Sequence, residues 1–212
     1  MNISMVQQLI FLIPILLISL SFHEFLHGYA SYRLGDPTPK INGRLTLNPL
    51  AHLDPVGSLV LILTRRFGWA KPVPINPRYY ENPRKGMMIV GIAGPGANFI
   101  LASLFAIIIR LLLNFNPYTL SSGSNSLSYL FVQFLFMAIS INLSLGFFNL
   151  IPIPPLDGSK ILRGFLPAKF DKYFYKLEGP AGMVVLVILL YTGIIWRIIG
   201  PLINLVLNLL LF

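Results

Sequence analysis

Two histidines four residues apart, with a glutamate beside the first, stand out in His23-Glu24-Phe25-Leu26-His27. On an α-helix, positions i and i+4 lie on one face, one turn apart. His23 and His27 can therefore both direct an imidazole nitrogen at one metal ion. Glu24 falls beside the first ligand, within reach of a proton on a water at that metal. This is the arrangement of zinc hydrolases, in which two His bind Zn²⁺ and the Glu is the general base. Five residues recur by chance, so the setting matters. From Met5 to Tyr32, Glu24 is the sole Asp, Glu, Lys or Arg. An ionisable cluster inside an apolar helix is costly and marks function by default. The bland alternative is a pair of His hydrogen-bonded to neighbouring helices, with Glu24 neutral or paired.

The elements that must position this group are membrane-spanning. The 212 residues are 55% hydrophobic and 11% charged, whereas a soluble domain carries roughly a quarter charged residues. The composition predicts an all-α polytopic membrane protein, residues 1–212 forming a single membrane-embedded domain in contact with the lipid bilayer. The absence of cysteine excludes disulfides and thiolate ligands, leaving His and carboxylates for any metal. A net charge of +9 would point to nucleic acid in a soluble protein. Here its distribution follows membrane topology instead, and no nucleic-acid partner is expected.

The first span is predicted from about Met5 to Tyr32. It has no basic flank before it and no small-residue cleavage site after it, so it reads as a retained span and not a signal peptide. Residues 33–85 form a long connection. Within it Asn42-Gly43 is a hairpin signal, and Arg44-Leu45-Thr46-Leu47 alternates with period two. Either a small β-hairpin or edge strand able to pair with an extended peptide, or an ordered surface loop, is expected there. Residues 55–64 are apolar but short for a span. The second span is predicted over about Gly86–Leu113, opening with Gly91-Ile92-Ala93-Gly94-Pro95-Gly96-Ala97-Asn98. Its small residues permit close helix contact, and Asn98 is expected to bond across helices or face the site. A third span, about Tyr129–Leu150, carries Asn142 and Asn149. It ends in Ile151-Pro152-Ile153-Pro154-Pro155-Leu156-Asp157-Gly158, where the prolines stop the helix. Beyond it, one span from about Ala181 to Ile198 and a tilted or interfacial tail after Gly200-Pro201 are expected, giving four to five transmembrane helices in all.

Orientation follows from charge. Loop 33–85 holds nine Lys and Arg residues and loop 158–178 holds five, whereas loop 114–128 has none. The positive-inside rule puts both basic loops in the cytoplasm and the N-terminus outside. If residues 55–64 crossed the membrane, basic groups on its two sides would face opposite compartments, so the segment reads as re-entrant or interfacial. The ends of the first and third spans then lie at similar depth on the cytoplasmic side. That placement brings Asp157, the sole carboxylate between Glu81 and Asp171, to His23 and His27 as a third ligand. A water would complete an open catalytic site.

His23-Glu24-x-x-His27, together with Asn149-x-x-Pro152-x-x-x-Leu156-Asp157-Gly158, resembles the site-2 protease family of intramembrane zinc metalloproteases. Gly91 to Asn98 and Leu47-Asn48-Pro49-Leu50-Ala51-His52 resemble a compact prokaryotic branch of that family. The resemblance covers most of the chain. It implies Zn²⁺ on His23, His27 and Asp157, Glu24 as general base, and cleavage of a peptide bond within or beside a transmembrane helix of a protein or peptide substrate. It also implies a multi-pass protein of the prokaryotic cell membrane. Asn149 matches the motif asparagine, which orients substrate or stabilises the oxyanion; its alternative is a helix-end bond to backbone freed by the prolines. The 212 residues leave no room for a PDZ or CBS domain, so gating by such a domain would have to come from a partner. His52 is open to four roles: fourth ligand, proton donor to the leaving amine, transition-state stabiliser, or a residue fixing the loop. Asp54, before Pro55, reads as a helix cap or turn residue, and Asp36-Pro37 as a turn. The competing class is a metal-binding membrane protein or transporter using the same His/Asp cluster. It predicts ion flux and tolerance of Glu24→Gln, but the sequence shows no internal repeat and one ionisable cluster only.

Overall fold

The apolar stretches fold as long helices. The computed structural model describes residues 5–57, 70–115 and 126–211. Helix α1 covers Met5–Arg33, α2 Pro83–Phe115, α3 Leu127–Asn149, α4 Asp157–Phe165, α5 Asp171–Leu177, α6 Pro180–Tyr191 and α7 Ile194–Leu211. At 1.5 Å per residue, the 29 residues of α1 extend about 44 Å, beyond a hydrocarbon core of about 30 Å. Its His-bearing end therefore reaches toward one membrane face. Helix α2 opens with Pro83 at its first position, where Pro has no helical N–H to forfeit. Asn82 Oδ1 caps it, accepting from Arg84 N and Lys85 N, each at 3.1 Å.

Helices α1, α2, α3 and α7 are long and apolar enough to cross a membrane, and a fifth span results if the bent pair Ala168–Leu177 and Pro180–Tyr191 counts as one. Helices α2 and α3 meet through Ala102, Ala106, Ile109, Leu135, Ile139 and Leu143, with Ile203, Val206 and Leu207 of α7 packed on this core. Small residues on α2 (Gly91, Gly94, Ala97, Ala102 and Ala106 are all buried) let the backbones approach, as helix association in lipid requires. Large apolar side chains such as Ile10, Ile107, Leu111 and Ile198 point outward. Water would not tolerate so much apolar surface, but acyl chains do.

Two expectations are corrected. Asn42-Gly43 does not turn a hairpin; it ends a helical turn, Thr38–Ile41. Gly43 has φ +65. Its N–H donates to Lys40 O at 3.0 Å, and Arg44 N donates to Pro39 O at 2.9 Å. These are the paired bonds of a Schellman cap, which needs the same left-handed residue as a tight hairpin. The described residues contain no strand beyond an isolated antiparallel bridge between Leu53 and Ala70. The last spanning helix is α7, not residues 181–198. The chain breaks at Thr192-Gly193, where Gly193 has φ +72, and runs helically through Gly200-Pro201. The segment 55–64 lies for the most part outside the described residues. Just before it, Asp54 Oδ1 accepts from Gly57 N at 2.7 Å, the cap role expected of it.

Candidate metal centre

Helix α1 presents His23 and His27 one turn apart, their rings edge to face with centroids 4.6 Å apart. Their orientation can be traced outward, donor by donor. The Ala138 carbonyl can only accept, so Asn142 must give it Nδ2, at 2.9 Å. Asn142 Oδ1 then faces Asn98, which donates Nδ2 at 3.1 Å. Asn98 Oδ1 is left facing His23 Nδ1 at 2.7 Å, so that ring nitrogen carries the proton. His27 Nδ1 lies 2.7 Å from Val90 O and must donate as well. With each neutral ring protonated at Nδ1, both Nε2 atoms hold bare lone pairs.

Those lone pairs converge. His23 Nε2 and His27 Nε2 are 3.0 Å apart, and Asp157 Oδ2 lies 3.2 Å from the first and 3.0 Å from the second. All three residues are buried. Three acceptors at such distances repel one another unless a cation sits among them. Ligands at about 2.0–2.1 Å around tetrahedral zinc are themselves about 3.3 Å apart, so the triangle fits that ion. Helix α2 comes close through a bare backbone: a Cβ on Gly94 would lie 2.3 Å from His27 Nε2 and 2.6 Å from His23 Cε1.

Asp157 is the first residue of α4, after the proline-rich turn that ends α3. Gly158 makes that turn tight, since a Cβ there would stand 2.1 Å from Leu150 O. The other oxygen, Asp157 Oδ1, accepts from Lys160 Nζ at 2.8 Å. A cavity of about 160 Å³ opens on the cluster, lined by His23, Glu24, His27, Pro72, Val73, Ile75, Asn149, Pro155, Asp157 and Lys160.

Glu24 lies on that wall, and its Oε2 accepts from Val73 N at 2.8 Å. Val73 belongs to residues 71–76, an extended strap across the end of α1. Asp36 pins the strap: Oδ2 accepts from Asn76 N at 2.7 Å and from Ser31 Oγ at 2.7 Å, while Oδ1 accepts from Thr38 N at 2.9 Å. Burial pushes the Asp36 carboxyl up, but the bonds from Thr38, Asn76 and Ser31 outweigh it and hold the group below the ordinary carboxylate range. Tyr80 OH bonds Ser31 Oγ at 2.7 Å, and burial pushes this phenol up.

Of the residues singled out in the sequence, His23, Glu24, His27, Asn149 and Asp157 meet at the cavity. Asn149 also donates Nδ2 to Leu145 O at 3.0 Å, so one of its two amide hydrogens is committed to the helix end. His52 is elsewhere. It is buried, with Nε2 2.8 Å from Thr46 O and Nδ1 3.4 Å from Arg44 Nη2, and its carbonyl accepts from Lys71 N. Neither Lys160 nor the 71–76 strap was singled out from the sequence, whereas Gly94 was, as one of the small residues that permit close helix contact. Lys160 was discoverable, because three residues after Asp157 on a helix share its face.

Comparison with known proteins agrees with this chemistry. The model of "Peptidase family M50" matches residues 11–192. Over 194 residues the chain is 38% identical to YwhC of Bacillus subtilis, named as a candidate zinc metalloprotease; the match covers 92% of this chain and 86% of YwhC. It is 31% identical over 183 residues to Rip2 of Mycolicibacterium smegmatis, also named as a candidate zinc metalloprotease, covering 83% of this chain and 64% of Rip2. It is 27% identical over 197 residues to the zinc metalloprotease MJ0392 of Methanocaldococcus jannaschii, covering 92% of this chain and 45% of the relative. No solved structure matches.

Proposed function

The chain belongs to peptidase family M50, the site-2 protease family of zinc metalloproteases, and from that membership we propose that it hydrolyses a peptide bond within or next to a transmembrane helix of a membrane-protein substrate, with zinc on His23, His27 and Asp157. The observation that carries the proposal is the convergence of two bare imidazole nitrogens and one carboxylate oxygen on a point beside an open cavity inside a membrane protein.

His23, His27 and Asp157 would hold zinc, which would supply polarisation of the scissile carbonyl and a lowered pKa for the attacking water. Glu24 takes the water's proton through Oε1, since Oε2 is held by Val73 N–H, and passes it to the leaving nitrogen. Asn149 turns its remaining amide hydrogen toward the cavity and stabilises the oxyanion or orients the substrate. His52 ties Thr46, Arg44 and Lys71 together. The strap 71–76 and the α3–α4 turn leave a small opening, so the substrate helix must unwind locally to present its peptide bond. Helix-breaking residues near the cut favour cleavage. The basic loops face the cytoplasm of a prokaryotic cell, with the site at that side, and residues 1–212 act as one membrane-embedded protease domain.

The test is cleavage of a single-span substrate by purified protein in detergent, with the cut mapped by mass spectrometry. Wild type should cut within or beside the span, and a helix-breaking residue placed there should raise the rate. Cleavage confined to soluble peptides would contradict the intramembrane reading.

A further inference from the structure

The two oxygens of Asp157 have different partners. Oδ2 faces the histidine nitrogens at 3.0 and 3.2 Å; Oδ1 faces Lys160 Nζ at 2.8 Å. Lys160 follows Asp157 by three residues on α4, which stacks the two side chains on one face. Lys160 is the one Lys or Arg among the described residues that line the cavity; nearby Arg84 and Arg163 are both committed to Asp171, at 2.7 and 3.1 Å. Lys160 is thus the cation, among the described residues, that faces the cluster. Its side chain is about a third exposed while that of Asp157 is nearly fully buried, so the ammonium reaches in from the wall of the cavity.

A carboxylate with both oxygens free can chelate a divalent ion and take up two positions around it. An open catalytic site needs one position left for water or substrate. We propose that Lys160 is a positioning residue that holds Asp157 Oδ1 and so keeps Asp157 a one-oxygen ligand. The inference rests on the reading of His23, His27 and Asp157 as the zinc ligands. A charge-assisted bond to a carboxylate is roughly twice as strong as a neutral one, and partners that orient a ligand from behind affect metal affinity or activity by about 10–100-fold. Lysine suits the task because its ammonium acts as a compact point charge on a flexible stem.

The experiment replaces zinc by cobalt(II) in full-length protein in detergent, measures metal content, and records the visible spectrum of wild type, Lys160→Met and Lys160→Arg. Four-coordinate cobalt absorbs several-fold more strongly than five-coordinate cobalt. Wild type should show the strong bands, Lys160→Met should lose them several-fold at equal metal content, and Lys160→Arg should restore them. Turnover should follow, with kcat about 10–100-fold lower in Lys160→Met at unchanged KM. Strong bands retained in Lys160→Met would overturn the inference. Should that variant fail to fold, zinc-edge X-ray absorption on wild type decides alone: four light neighbours support a one-oxygen Asp157, and five overturn it. A wild type that takes up no metal would sink the zinc reading itself and this inference with it.

Discussion

His23 and His27 each use one ring nitrogen for orientation and keep the other for the cluster. The tautomer is dictated from outside the site, by Ala138 O through Asn142 and Asn98, and by Val90 O. Asn98→Ala should therefore retain the fold and weaken zinc binding by about 10–100-fold, as read by competition with a chelator of known affinity; unchanged affinity would contradict the relay. Gly94→Ala should be harsher, because the added methyl would overlap both rings; it should lose zinc while circular dichroism stays helical. At this scale His-Glu-x-x-His and Asp157 were legible because their types are rare inside apolar helices. Asn98 was half legible, as a polar group in a span. Gly94 was legible as a small residue for close helix contact but not as the backbone facing the two rings, and the carbonyl of Val90 was not legible, since a backbone contact leaves no residue type to read.

The strap 71–76 depends on Asp36, which has no solvent exposure and three hydrogen bonds. Its carboxyl is held below the unfolded value of about 3.9, so its contribution is fully present above that pH and is lost as the pH falls through the folded pKa. Asp36→Asn should lower stability at neutral pH by about 1–3 kcal/mol and remove that acid limb, as followed by thermal unfolding in detergent from neutral pH to below the unfolded carboxylate value of about 3.9. An acid limb identical in wild type and variant would contradict the assignment. The sequence identified Asp36-Pro37 as a turn but gave no sign that its carboxylate reaches forty residues ahead. The first three spans were legible from hydrophobic runs, to within a few residues. Asn42-Gly43 was misread because positive φ serves a Schellman cap as well as a hairpin. The break in the C-terminal apolar run was placed at Gly200-Pro201, but Pro201 sits inside α7 and Gly193 makes the turn.

In the whole molecule the polar cluster lies among α1, α2 and α4, with His23, His27 and Asp157 all buried. Its sidedness rests on basic loops, and a chain without cysteine makes single introduced thiols unambiguous. In intact cells an impermeant thiol reagent should label Ser128→Cys and spare Lys172→Cys until lysis; the reverse pattern would contradict a cytoplasmic site. The proposed chemistry needs one zinc on His23, His27 and Asp157 with Glu24 as base. Metal content and cleavage of a single-span substrate, measured side by side on wild type, Glu24→Gln and Asp157→Ala, test it most directly. Wild type should hold about one zinc and turn over, Glu24→Gln should keep full zinc with activity reduced at least about 100-fold, and Asp157→Ala should lose both. Full zinc in Asp157→Ala, or undiminished cleavage by Glu24→Gln, would contradict it.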